Sequence, residues 1–169
     1  MLFWLIKKVS SQENKKFFIL SKNNLPFQIL ILLILLQIIV GAFVSGLDAG
    51  KIYQTWPLMG DNFFPNDIIL EKTKDIFNFD SHSLVQFYHR NLAYLIIIYF
   101  LGLSLFIFKK KISGLYVPLL IVIFFLSLQV MLGILTLISG LNIYLASAHQ
   151  ITSVLLVFSA LNLYYSFAK

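Results

Sequence analysis

Apolar residues in this chain come in long, nearly unbroken runs, and polar residues are confined to the stretches between them. Four runs stand out, at about 27–46, 84–108, 115–138 and 144–167. Each reaches the roughly 20 residues that cross a hydrocarbon core of about 30 Å at about 1.5 Å per residue. A segment in lipid must satisfy its backbone internally, so runs of this length are helices. Pro26 and Pro118 fall at the start of the first run and in the first turn of the third, where a missing N–H does no harm. The pattern predicts an all-α integral membrane protein built as a four-transmembrane-helix bundle over 27–169, with an outer loop at 47–83. Residues 1–26 read as a cytoplasmic or interfacial segment. Its apolar start before Lys7 and Lys8 is too short to span, and resembles either the end of a missing helix or an interfacial anchor.

Composition agrees with the pattern. With 59% hydrophobic and 12% charged residues, and a mean hydropathy of +0.87, the chain has too little polar side chain to cover a soluble globule. The net charge of +6 does not form a nucleic-acid surface, because the lysines gather in short loops. Lys7, Lys8, Lys15, Lys16 and Lys22 precede the first run, Lys109, Lys110 and Lys111 separate the second from the third, and Lys169 ends the chain. The 47–83 loop carries instead Asp48, Asp61, Asp67, Glu71, Asp75 and Asp80 against Lys51, Lys72 and Lys74. Positive loops stay inside, so both termini are expected in the cytoplasm or matrix, and the acidic loop on the outer side of a bacterial or mitochondrial inner membrane. The absence of cysteine excludes disulfides, thiolate metal sites, Fe–S clusters and covalently attached haem.

Ionisable residues inside a span are costly, and their default reading is functional. His89 and His149 each sit about five residues into a run that starts on the outer side, so they share a depth of roughly 7 Å below that interface. The chain also repeats itself: Gln37 and Gly41 in the first run match Gln129 and Gly133 in the third, and each pair precedes a helix with a histidine near its outer end. A two-helix parallel repeat of this kind brings the two histidines to equivalent places across the bundle centre. Ala93 and Ser153 lie one turn deeper than each histidine, and with Gly41, Ala42, Ser45, Gly46 and Gly133 they either make room beside the imidazoles or permit close helix packing.

Two facing imidazoles can form a hydrogen-bonded pair or hold a metal. A structural zinc or copper needs further ligands that the spans lack, whereas haem iron needs only two axial ligands, and the shared depth favours bis-histidine haem. Arg90 either pairs with a haem propionate or anchors the helix at the interface beside Asp48 or Asp80. His82 is expected in the loop and in solvent. Tyr53, Trp56, Phe63 and Phe64 interleave with Pro57 and Pro65, so the outer loop is expected to fold over the mouth of the bundle, as a lid or as an aromatic belt.

These residues carry a resemblance. The stretches Gly41-Ala42-Phe43-Val44-Ser45-Gly46-Leu47-Asp48-Ala49-Gly50, Tyr53-Gln54-Thr55-Trp56-Pro57-Leu58-Met59-Gly60, Val85-Gln86-Phe87-Tyr88-His89-Arg90, Leu132-Gly133-Ile134-Leu135-Thr136-Leu137 and His149-Gln150, in that order, resemble the C-terminal half of haem A synthase of the proteobacterial and mitochondrial type. The resemblance implies one half of an eight-helix protein that oxidises a methyl of haem O to the formyl of haem A for cytochrome c oxidase assembly. It implies haem b between His89 and His149, and a partner that is either a separately encoded N-terminal half or a second copy of this chain. The N-terminal half of that family has a glutamate three residues before its own histidine-arginine pair. Gln86 stands at the matching position here, so the chain is not expected to be active alone. The alternatives are a non-catalytic b-type cytochrome or haem-binding assembly protein, or a truncated remnant.

Overall fold

The computed structural model describes residues 5–7, 9, 21–68 and 73–168. The expected helix remnant at 1–8 lies largely outside them. Four long helices carry the fold: α1 (Leu25–Gly46), α2 (His82–Lys109), α3 (Tyr116–Ile138) and α4 (Ile143–Phe167). All four are long and apolar enough to cross a membrane, and no strand forms among the described residues. Their ends fall within two residues of the runs read from the sequence. One correction concerns His82, which is not in the loop but is the first residue of α2, although it remains exposed.

Local chemistry fixes the helix ends. Ser81 caps α2, its side chain accepting from the Leu84 amide at 3.4 Å, and Asn142 caps α4 by accepting from Tyr144 and Leu145 at 3.0 and 3.4 Å. These bonds satisfy amides that a helix start leaves without partners. The α3–α4 turn closes through Gly140 at φ +72, with the Leu141 amide donating to the Thr136 carbonyl at 2.9 Å. That is the six-to-one bond of a Schellman turn, and glycine takes its left-handed position without steric cost.

The helices pack as an up-and-down bundle. The most extensive contacts are α3 with α4 and α1 with α2, followed by α1 with α4, while α2 and α3 touch much less. Helices α2 and α4 therefore lie on one diagonal and α1 and α3 on the other. The packed core includes Phe27, Leu30, Phe100, Ile107, Leu119 and Leu163, which come from the first half of α1 and α3 and the second half of α2 and α4. It occupies one end of the bundle, where Gln28 Nε2 donates to the Tyr164 hydroxyl at 2.8 Å and the Tyr99 hydroxyl donates to the Pro26 carbonyl at 2.8 Å. The opposite end carries both histidines and the long loop, and contributes no residue to that buried cluster. Outward-facing positions such as Ile98, Val117, Phe124 and Ile151 are apolar and exposed, as a lipid-facing surface requires.

Candidate functional site

His89 is the eighth residue of α2 and His149 the seventh of α4, so each stands about two turns into one of the two diagonal helices. Each rests against a glycine of a neighbouring helix. A Cβ added at Gly41 would stand 3.0 Å from His89 Cε1, and one added at Gly133 would stand 3.0 Å from His149 Cε1. One turn earlier on each glycine helix is a glutamine. Gln37 Nε2 donates to the His89 carbonyl at 3.0 Å and lies 3.2 and 3.3 Å from its two ring nitrogens. Gln129 Oε1 accepts from the Thr152 hydroxyl at 2.8 Å, three residues along α4 from His149. His149 Nδ1 is buried and has no hydrogen-bond partner.

Arg90 turns away from the helix interior and gathers the outer loop. Its Nη1 donates to the carbonyls of Thr55 and Leu58 at 2.9 and 3.2 Å, and its Nη2 to that of Tyr53 at 2.8 Å. Gln86, almost fully buried at 2% exposure, donates to the same Tyr53 carbonyl at 2.8 Å. Further ties are the Tyr88 hydroxyl to the Ile76 carbonyl at 2.5 Å and edge contacts of Phe63 and Phe64 with Phe87. The loop is thus fastened to the first turns of α2, directly beside His89. Of the acidic residues weighed as Arg90 partners, Asp48 pairs instead with Lys51 at 2.8 Å.

Asp67 supplies a second fastening. The hydroxyls of Ser83 and Tyr53 donate to its two carboxylate oxygens at 2.5 and 2.6 Å. Burial alone raises this carboxyl, but the Ser83 and Tyr53 bonds outweigh it and hold the group below its ordinary 3.8. A depressed carboxyl stabilises the folded loop above its unfolded value and loses that contribution as pH falls through the folded one. Trp56 fluorescence is therefore expected to be constant down to about pH 4 and to report loop loosening below it. In Asp67→Asn this acid transition should be absent.

The remaining small residues divide. Ala93 and Ser153 are partly buried, and the Ser153 hydroxyl donates to the Gln150 carbonyl of its own helix at 2.6 Å. Ala42, Ser45 and Gly46 are exposed. Gln37, Gly41, Gln129 and Gly133 were legible as a repeated pattern, but their contacts with the histidine helices were not. Thr152 gave no signal in the sequence.

Residues 1–161 match the family model described as cytochrome oxidase assembly protein, COX15-CtaA. The chain belongs to that family. Curated relatives of this cytochrome oxidase assembly family include a protein of Pelagibacter ubique (strain HTCC1062) named heme A synthase, 41% identical over 165 residues, or 94% of this chain and 46% of that protein. Heme A synthases of Wolbachia sp. subsp. Brugia malayi (strain TRS) and Flavobacterium psychrophilum are 41% and 38% identical, over 79% and 92% of this chain and 38% and 46% of their own lengths. The chain thus spans about half the length of the relatives it matches or less. No solved structure matches it.

Proposed function

We propose that this chain is the haem b-holding, C-terminal half of a haem A synthase, with His89 and His149 as axial ligands and an N-terminal half as its membrane partner. The observation that carries this reading is the placement of the two imidazoles on diagonal helices, each about two turns from its helix start and each against a glycine of a neighbouring helix, at the end of the bundle away from the buried apolar cluster. The donor set suits haem. Among the described residues no group of three or more His, Cys, Asp or Glu side chains gathers, which disfavours an ion held by protein ligands alone, whereas haem iron needs two. A buried imidazole nitrogen without a partner, at His149 Nδ1, is costly unless a ligand or water reaches it or the ring turns.

Bound haem supplies one-electron redox chemistry. The chain's own residues would hold the two ligands on separate helices, fasten the outer loop beside His89, and bond the neutral Gln86 amide to that loop. A glutamine in this role cannot accept a proton as a carboxylate does, so oxidation of the methyl group belongs to the partner half. The like placement of Gln37–Gly41 and Gln129–Gly133 supports the two-helix parallel repeat, and the lysines at the core end of the bundle support termini in the cytoplasm or matrix with the histidines near the outer face.

Co-expression with an N-terminal half that contains a glutamate followed two residues later by His-Arg is expected to convert haem O to haem A, while either half alone does not. Haem bound without conversion by the pair supports instead a b-type cytochrome or assembly protein. A pair that shows no haem binding and no conversion overturns both readings.

A further inference from the structure

The α-helical glycines behave in two ways. At Gly46 and Gly102 an added Cβ meets nothing within 4 Å. At Gly41 and Gly133 it meets a neighbour, and in both cases that neighbour is an imidazole: His89 at 3.0 Å from Cε1, 3.5 Å from Nδ1 and 4.0 Å from Nε2, and His149 at 3.0, 3.5 and 3.6 Å from the same atoms. Glycine in a spanning helix ordinarily serves close approach of two helix backbones. Here the group that approaches is a ring, and it presents the same edge at both sites.

A histidine ring turns easily about its Cβ–Cγ bond, whose torsional wells are broad. Something outside the residue must therefore fix its plane. The backbone at Gly41 and Gly133 offers a surface against which the Cε1 edge sits, and any larger residue forces the ring to give by a few tenths of an ångström. Gln37 adds a tether on one side by donating to the His89 carbonyl at 3.0 Å, and Gln129 adds one on the other through Thr152. We infer that Gly41 and Gly133 are positioning residues that set the ring planes of His89 and His149, each glycine and its glutamine one turn earlier forming a seat for the ligand of the neighbouring helix.

This inference rests on the haem reading. The angle between two axial imidazole planes governs the splitting of the iron orbitals, and hence the largest g value of the ferric low-spin signal. Orientation of a ligating histidine by its surroundings is a general lever on bound metal. The test is electron paramagnetic resonance of the chain loaded with haem b in membranes. Gly41→Ala and Gly133→Ala should each keep bound haem but shift the largest g value, while Gly102→Ala leaves it where it stands in the parent. Haem-loaded Gly41→Ala and Gly133→Ala with the parent signal overturn the seats and leave the haem reading intact. Parent chain without a haem signal overturns the haem reading and this inference with it. Because a bulkier residue can also impair folding, Gly41→Ala is combined with His89→Ala. If the clash is with the ring, the double variant accumulates to the level of His89→Ala alone. A defect that persists in the absence of the ring overturns the assignment.

Discussion

His89→Ala and His149→Ala should each remove the low-spin, bis-histidine haem spectrum of the purified chain. The two imidazoles stand on different helices with separate glycine contacts, so neither can supply the other's side. Changes to groups that merely orient a ligand typically cost about 10–100-fold in metal affinity, and loss of an axial ligand is expected to cost on the order of 100-fold or more. Absorption of the reduced protein and haem content per chain measure it. A chain whose spectrum is unchanged by both substitutions does not use these histidines. Glutamine is a useful second substitution at either site: it keeps a polar group of similar size, so loss of haem there separates ligation from packing.

Arg90→Ala should release the outer loop. Its three bonds to the carbonyls of Tyr53, Thr55 and Leu58 come from one cationic fork, and hydrogen bonds from charged donors contribute about 1.5 kcal/mol or more each. Discounted for partial exposure, their loss is expected to cost about 3 kcal/mol, or on the order of 100-fold in the population with the loop open. Limited proteolysis of 53–58 reads that population directly. Lysine should restore little, because an ammonium cannot span three carbonyls with the fixed geometry of a guanidinium. If Arg90 serves a haem propionate instead, cleavage of the loop stays at the parent rate and the haem spectrum shifts.

The loop also gives Arg90 partners that neither reading of the sequence named. From the sequence, Arg90 is equally suited to a propionate or to a place as interfacial anchor or partner of Asp48 or Asp80, since a cation near a membrane interface finds any of these. The fold gives it backbone carbonyls, an assignment that depends on how residues 53–58 turn back and so on contacts far apart in the chain. Gln86 was noted for the carboxylate it lacks, whereas its burial and its bond to Tyr53 show what the amide does.

What the sequence determined by itself was whatever the bilayer dictates. Lipid requires long apolar runs with internally satisfied backbones, so helix number and helix ends to within two residues could be read from 1.5 Å of rise per residue. The family's motifs added the pairing with haem A synthases. Only the tertiary structure decided which helices are diagonal, that the apolar core fills one end of the bundle, and that Gly41 and Gly133 receive imidazoles while Gly46 meets no neighbour. In a helix that is apolar on every side, the pattern of hydrophobic residues no longer marks an inner face. Lipid and core are equally apolar, so side-chain shape and polar contacts between helices set the rotation of each one, and those are properties of the assembled bundle.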